Sequence, residues 1–89
     1  MDIEYDVNKS KIKKQKHGIS FEEAKKLFED DALVVIPAKT VDNEQRFALI
    51  SKFLGKCFVA IFTFRGENIR IISVRRCRKN EEAGYENHS

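Results

Sequence analysis

The sequence has few of the residues that mark metal centres or membrane proteins. Its two cysteines, Cys57 and Cys77, form no C-x-x-C pair and have no histidine at zinc-site spacing. We therefore expect neither a metal site nor a disulfide scaffold, but two buried thiols in a reducing compartment. The longest apolar run, Cys57 to Phe62, is far shorter than the roughly 18 residues of a membrane span, and the N-terminus has no apolar signal segment. These absences predict a cytoplasmic protein with no membrane association and no cofactor.

The chain also lacks flexible linkers and repeats. It contains one proline and four glycines in 89 residues. A chain of this length forms one small domain, which buries only about 60% of the surface that its unfolded form exposes. The apolar fraction of 42% is still sufficient for a globular core. We expect a single domain over residues 1–89.

What the chain does contain is charge arranged in blocks. Its net charge is only +3, yet lysines cluster in residues 8–17 and arginines in residues 65–79. If the fold brings the two blocks together, the domain has one strongly positive face that suits a polyanion. The alternative is that the lysines simply solvate a helix face.

Capping signals predict two helices in the N-terminal third. Asp6 can cap a first helix that runs to about Lys16, and Gly18 stands where a helix ends in the left-handed conformation. Ser20 and Glu23 match a capping box, so a second helix follows directly.

Strand signals follow the helices. Ile3 to Tyr5 predicts a short strand, and the β-branched run from Ala32 ends at Pro37, which cannot donate into a central ladder. Three further strands predict an antiparallel meander with turns at Gly55 and Gly66: Gln45 to Lys52, Cys57 to Phe64, and Ile69 to Arg75. Arg78 to Glu86 suits a terminal helix that Gly84 weakens.

The last hairpin carries several arginines, whose planar forks of donors match phosphate oxygens. If it closes with Phe64 opposite Ile69, then Thr63 lies opposite Arg70, and Arg65 continues on the same face. A slip of one residue would scatter these side chains, so their convergence depends on the register.

Two motifs occur in order along the chain. They are K-H-G-I-S-F-E-E-A from Lys16 to Ala24, and T-F-R-G from Thr63 followed by R-I-I-S-V-R from Arg70. Together with Phe28, Asp30, Glu44, Arg46, Glu81, Tyr85 and Glu86, they resemble the BrnT family of toxin ribonucleases. The chain departs from that pattern at Asp31, where proline is usual, at Tyr5, where tryptophan is common, and at Gly84.

The resemblance implies a RelE-like, barnase-related α+β fold, with N-terminal helices packed on a twisted antiparallel β-sheet and a short C-terminal helix. It implies the toxin of a bacterial type II toxin–antitoxin system, an endoribonuclease that cleaves RNA to arrest translation. The partner it implies is a BrnA-like antitoxin, a ribbon-helix-helix protein that covers the toxin and represses the shared operon. Operator DNA would then be contacted only through the antitoxin.

Metal-independent RNA cleavage needs a base for the attacking 2′-hydroxyl, an acid for the departing 5′-oxygen, and cations for the charge on the phosphoryl oxygens. Arg65 and Arg70 are the candidates for stabilising that charge. We expect Arg75 and Lys16 to support them by binding phosphate, and Thr63 to orient the phosphate through a hydrogen bond. Any one of these arginines has the alternative of a surface ion pair.

Three further residues each have two interpretations. His17 is a candidate acid or base, because its ordinary pKa is near ~6.5, but it also suits the C-terminus of a helix. Glu44 is a candidate base partnered by Arg46, or half of a surface ion pair. Tyr85 could stack on a base of the RNA or pack a terminal amphipathic helix.

Two other functions use the same basic hairpin. One is a non-catalytic nucleic-acid-binding module, whose binding is sensitive to salt but leaves RNA intact. The other is a protein-interaction module that docks acidic segments of another chain.

Overall fold

A computed structural model describes the backbone of residues 2–88 and the side chains of residues 2–87. Five strands form one sheet: β1 (Ile3–Tyr5), β2 (Val34–Pro37), β3 (Phe47–Phe53), β4 (Lys56–Arg65) and β5 (Asn68–Arg76). Three α-helices accompany the sheet: α1 (Val7–His17), α2 (Phe21–Ala24) and α3 (Lys79–His88). A 3₁₀ segment, Lys25–Glu29, continues α2. The α+β class expected from the resemblance is confirmed.

The sheet has the order β1-β5-β4-β3-β2, and it is mixed, not antiparallel. The meander from β2 to β5 is antiparallel as predicted, but β1 pairs in parallel with β5 and places Glu4 beside Arg70. The expectation of a wholly antiparallel sheet was therefore wrong. Hairpins are signalled by the turns that connect them, whereas the pairing of β1 with β5 joins strands more than 60 residues apart.

The predicted helix caps are confirmed. The Asp6 side chain accepts hydrogen bonds from the backbone N–H groups of Asn8 and Lys9, and Gly18 ends α1 with φ +78°. Ser20 and Glu23 form the reciprocal capping box that starts α2. These caps fix where α1 ends and α2 begins, and so bring the last turn of α1, which contains Lys16 and His17, close to the sheet.

The sheet has a buried cluster on each face. On one face, which we call the α2 face, side chains of α2 and its flanking segments, including Phe21 and Leu27, pack on Phe58, Phe62 and Ile71. On the other, the α3 face, Tyr85 of α3 packs with a smaller cluster formed by Ala48, Ile50, Cys57 and Val59. Alternation along β4 places Thr63 and Arg65 on the α3 face.

A β-bulge decides which way the arginines of β5 point. The register shifts between Ile61 and Phe62, so Ile61 pairs with Ser73 while Phe62 pairs with Ile71. Without the bulge, Arg70 and Arg75 would face opposite sides, because their positions differ by five, an odd number. With it, both lie on the α3 face.

Cys57 and Cys77 form a disulfide with a Cα–Cα distance of 5.4 Å. The expectation of two free thiols was therefore wrong. The end of the β4–β5 ladder brings the two residues together, and the N–H of Cys77 donates to the carbonyl of Cys57 at 3.0 Å. Their separation of 20 residues follows no short spacing rule, so the sequence does not reveal the pair. Within residues 2–88, no helix is long and apolar enough to cross a membrane.

Candidate functional site

The β4–β5 hairpin has the register on which the predicted convergence depends. Phe64 pairs with Ile69, Thr63 with Arg70, and Arg65 with Asn68. The turn between the strands uses Gly66 at φ +61°, in the left-handed region that favours glycine. Thr63, Arg65 and Arg70 therefore share the α3 face, as the sequence predicted. Their functional groups nevertheless have different partners.

Glu44 lies between two arginines at the edge of this surface. Its Oε2 is 3.3 Å from Nε of Arg65, and its Oε1 is 3.6 Å from Nε of Arg46. One carboxylate faces two guanidiniums, so the three side chains together keep a charge of +1. The Arg65 side chain is 51% exposed, and its terminal Nη groups donate no hydrogen bond within residues 2–87. An arginine held only through Nε keeps its fork of donors for an anion.

Arg46 is held more by charge than by hydrogen bonding. Its Nε is buried and, within the described part of the chain, has no hydrogen-bond partner, because 3.6 Å from Glu44 exceeds hydrogen-bond distance. Leaving a buried donor unpaired costs roughly 1–3 kcal/mol. The 3.6 Å ion pair with Glu44 offsets part of that cost.

A tight turn presents Glu44. Val41 and Glu44 exchange backbone hydrogen bonds of 3.0 and 2.8 Å, and Asp42 and Asn43 between them have φ values of +51° and +62°. These are the left-handed conformations that a two-residue hairpin turn requires, and Asp and Asn tolerate them best after glycine. Gln45 braces the loop by donating from its amide to the carbonyls of Ala38 and Arg46.

Thr63 fastens this loop to the sheet. Its residue surface is only 2% exposed, and its hydroxyl donates to the carbonyl of Gln45 at 2.8 Å. The hydroxyl is therefore engaged by the protein itself, and Thr63 acts on the site by holding the chain that carries Glu44 and Arg46.

A groove of about 430 Å³ opens beside Glu44. It is lined by Asn43, Glu44, Gln45, Phe47, Thr63 and Phe64. Phe64 is half exposed. Strand alternation puts Phe64 on the apolar α2 face, but it lies near the end of β4, where its neighbours leave it half uncovered.

Arg70 has a partner that sequence reasoning missed. Its Nη1 lies 3.4 Å from Oε1 of Glu4, and both side chains are partly exposed. Only the parallel pairing of β1 with β5 could reveal this contact. A single long contact leaves most of the donors of Arg70 available.

Arg75 differs from the other hairpin arginines because it is firmly paired. Its two Nη atoms contact the two carboxylate oxygens of Glu81 at 2.8 and 2.7 Å, and Glu81 also accepts from the N–H of Arg78. The Arg75 hydrogen bonds are the main cause that lowers the pKa of Glu81 to about 2. This bidentate pair attaches α3 to the sheet.

His17 lies near Arg75, away from the groove. Its pKa is lowered from 6.5, first by burial and then by the positive charges of Lys13, Lys16 and Arg75. Arg75 is five residues from Arg70, which is roughly 16 Å along a strand at about 3.3 Å per residue. The structure thus divides the sequence-predicted residues in two. The groove cluster comprises Glu44 and Thr63, which line the groove, with Arg46 and Arg65, which pair with Glu44, and Arg70, which lies opposite Thr63. The His17 cluster comprises Lys16, His17 and Arg75.

Tyr85 belongs to neither cluster. It is 6% exposed, and its hydroxyl donates to Oδ2 of Asp30 at 2.7 Å. The Asp30 hydrogen bond is the first cause that raises the pKa of Tyr85 to about 12. Of the two interpretations of Tyr85, the structure favours packing, because a buried ring offers no face to a base.

The residues that the structure describes include no group of three or more histidine, cysteine, aspartate or glutamate side chains placed to hold a metal ion. The sequence matches the model of a family described as the ribonuclease toxin BrnT of type II toxin–antitoxin systems, over residues 5–81. That segment contains both clusters. Comparison with curated proteins gives no match.

Proposed function

This chain belongs to the BrnT family of ribonuclease toxins, and from that premise we propose that it cleaves RNA without a metal ion, by attack of a 2′-hydroxyl on the adjacent phosphorus. Membership of a type II toxin–antitoxin family makes RNA its target and a protein antitoxin its partner. The observation that carries the mechanism is the groove cluster, in which Arg65 and Arg70 share one sheet face and keep unpaired donors.

The scissile phosphate binds between Arg65 and Arg70 in this proposal. Each contacts a carboxylate through one nitrogen atom, at 3.3 Å for Arg65 and 3.4 Å for Arg70. A phosphodiester, whose two non-bridging oxygens share one negative charge, can therefore engage the remaining N–H groups without breaking a strong pair. Charge that builds up in the transition state is stabilised by donors already held in place.

Glu44 is the proposed base. It lines the groove and is held beside Arg65, so a 2′-hydroxyl next to the bound phosphate lies within its reach. In the proposed step the hydroxyl oxygen bonds to phosphorus, its proton passes to Glu44, and the bond to the 5′-oxygen breaks. The departing oxygen takes a proton from water. The products are a 2′,3′-cyclic phosphate and a 5′-hydroxyl.

The His17 cluster binds the RNA backbone further along the chain of nucleotides. Lys16 is exposed and supplies a positive charge, and His17 is mainly neutral at pH 7 because its pKa is lowered. Arg75 is paired with Glu81, so it attracts the RNA backbone through its positive charge more than through a direct contact. We therefore assign His17 to RNA binding, whereas the sequence made it a candidate acid or base.

The antitoxin in this proposal is a BrnA-like ribbon-helix-helix protein. Unpaired guanidinium donors on an exposed sheet face suit an acidic segment of such a protein as well as they suit RNA. Bound there, the antitoxin excludes the substrate, and operator DNA is contacted through the antitoxin alone.

Cleavage assays in EDTA test the mechanism. Replacing Arg65 or Arg70 by alanine is expected to lower the single-turnover rate by about 100- to 1,000-fold, which is the cost of removing one preorganised donor from a developing charge. Arg76→Ala is the matched control, because it removes the same charge from the opposite face, where Arg76 lies over the ring of Phe58. We expect it to change the rate by less than about threefold.

Two outcomes would contradict the proposal. Equal losses for Arg65→Ala and Arg76→Ala would mean that net charge, not position, governs the rate. Salt-sensitive binding with RNA left intact by the wild type would instead identify a non-catalytic nucleic-acid-binding module.

A further inference from the structure

Phe64 is an exposed aromatic side chain held in a fixed position. It is 50% exposed and immediately precedes Arg65. Its ring meets Phe47 at a centroid distance of 5.5 Å and 71°, and Phe62 at 5.8 Å and 83°. Both contacts are edge-to-face, and neither is a parallel stack. The ring therefore packs in an aromatic cluster that fixes its position, while half of the residue remains exposed to solvent.

The groove next to Phe64 is open to solvent and is large enough to hold one side of a flat ligand. Its volume of about 430 Å³ lies within the roughly 300–1,000 Å³ typical of ligand pockets. Phe47 and Phe64 supply apolar surface, and Asn43, Glu44 and Gln45 supply polar groups. A flat ligand with apolar faces and polar edges, such as a nucleobase, matches this lining.

Asn43 is the polar group that is available to such a ligand. Its amide makes no hydrogen bond with any other residue between 2 and 87, although the rigid turn at Asp42 and Asn43 holds its backbone in place. The amide of Gln45, in contrast, is used within the loop. An asparagine amide offers both a donor and an acceptor, the pair needed to read the edge of a base.

We infer that the groove is a nucleobase subsite, in which an unpaired base of the RNA stacks on Phe64 and its edge is read by the amide of Asn43. Arg65 favours a nucleobase as the occupant over an apolar side chain of a protein partner. Its exposed guanidinium lies beside Glu44, which lines the groove, and attracts a phosphate to that position. A base next to a bound phosphate is the defining arrangement of single-stranded RNA. The inference deepens the proposed function, on which it rests for the identity of the ligand.

Binding of non-cleavable RNA tests the subsite apart from catalysis. The probes are fluorescently labelled, fully 2′-O-methylated oligonucleotides that carry one abasic residue at each position in turn, and the readout is fluorescence anisotropy. For the wild type, one position is expected to weaken binding by roughly 5- to 100-fold when its base is missing, the range measured for a stacked base. Phe64→Leu should bind intact RNA about as weakly and lose its response to that position.

Two further variants complete the design. Leu54→Ala is the matched control, because Leu54 is an 83% exposed apolar residue in the β3–β4 turn, outside the groove. It should keep the abasic profile of the wild type. Asn43→Gly, which removes the amide and tolerates the left-handed backbone, should keep the stacking response but bring the affinities for the four bases at that position within about twofold of one another.

The outcomes separate the two proposals. An abasic profile that is flat in the wild type, or unchanged in Phe64→Leu, overturns the subsite even if RNA is still cleaved. A profile that depends on Phe64 without any cleavage of unmodified RNA keeps the subsite and overturns the catalytic proposal. Failure of the wild type to bind any of the probes overturns the subsite as well.

Discussion

Replacing Tyr85 by phenylalanine removes one hydroxyl and keeps the ring, so it isolates the hydrogen bond that joins α3 to the segment before β2. Oδ2 of Asp30 accepts from the Tyr85 hydroxyl at 2.7 Å, from the Ser51 hydroxyl at 2.8 Å and from the Lys52 N–H at 3.2 Å. Its Oδ1 accepts from the N–H of Ala32. These donors hold the pKa of Asp30 at about 2, against its ordinary 3.8, and the tyrosine is the largest cause.

The magnitude follows from linkage. The difference between 3.8 and about 2, at about 1.36 kcal/mol for each pH unit, sets an upper bound of roughly 2.4 kcal/mol on what the ionised carboxylate contributes to folding. Asp30 is only partly buried, so solvent screening reduces this contribution to about 1–2 kcal/mol. Because the folded-state pKa is depressed, this stability is present above pH 3.8 and is lost as the pH falls through about 2. A single hydrogen bond to a charged group is worth about 1.5–3 kcal/mol. We expect Tyr85→Phe to lower the free energy of unfolding by about 1–2 kcal/mol at pH 7.

Urea denaturation of the wild type and Tyr85→Phe, from pH 7 to pH 2, measures this contribution. The midpoint should fall at pH 7 with an unchanged m-value, which marks a loss of stability without a change in the surface exposed. The difference between the two proteins should shrink between pH 4 and pH 2, as Asp30 takes up its proton. A difference in unfolding free energy that stays constant over that range would refute the charged hydrogen bond. A loss of RNA affinity with unchanged stability would instead show that Tyr85 contacts RNA.

Four further predictions concern stability. Gly84→Ala should raise the free energy of unfolding by about 0.5–1 kcal/mol in urea titrations, because Gly84 lies inside α3 with open space around it, while Gly18→Ala should lower it by about 1–2 kcal/mol because of its φ of +78°. Reducing the Cys57–Cys77 disulfide should cost about 3 kcal/mol, seen as a lower unfolding midpoint in dithiothreitol. Because the pKa of His17 is lowered in the folded chain, stability should fall as the pH drops through 6.5, and His17→Gln should flatten that part of the stability curve.

The parts of the fold that the sequence predicts are those set by local chemistry. Asp6, Ser20 and Glu23 act on backbone groups within three residues of themselves, so their caps can be identified without knowing the rest of the chain. The register of the last hairpin is likewise fixed by the short turn at Gly66. That register is why the shared face of Thr63, Arg65 and Arg70 was predictable.

The parts that the sequence missed depend on contacts between distant segments. The ion pair of Arg70 with Glu4 follows from a parallel pairing across the whole chain, and the Cys57–Cys77 disulfide follows from the ladder that aligns its ends. The bulge in β5 that turns Arg75 to the α3 face has no glycine or proline beside it to mark it in the sequence. Tyr85 is buried against strand residues and hydrogen-bonded to Asp30, which lies 55 residues away in the sequence.

The alternation of side chains along β4 also does not reveal that Phe64 is exposed. A strand pattern assigns a side chain to a face, but it does not say where the covering helix ends. Near the end of β4 the helical layer leaves Phe64 half exposed, next to a loop whose left-handed turn at Asp42 and Asn43 contains no glycine. The groove could therefore be found only in three dimensions.

The chemical ends of the cleaved RNA test the central claim most directly. An oligonucleotide cut by the purified chain in EDTA should carry a 2′,3′-cyclic phosphate on one product and a 5′-hydroxyl on the other, and a single 2′-deoxy substitution at the cleaved nucleotide should abolish the cut. Products with a 5′-phosphate, or cleavage that survives the 2′-deoxy substitution, would contradict attack by the 2′-hydroxyl and with it the role assigned to Glu44, Arg65 and Arg70.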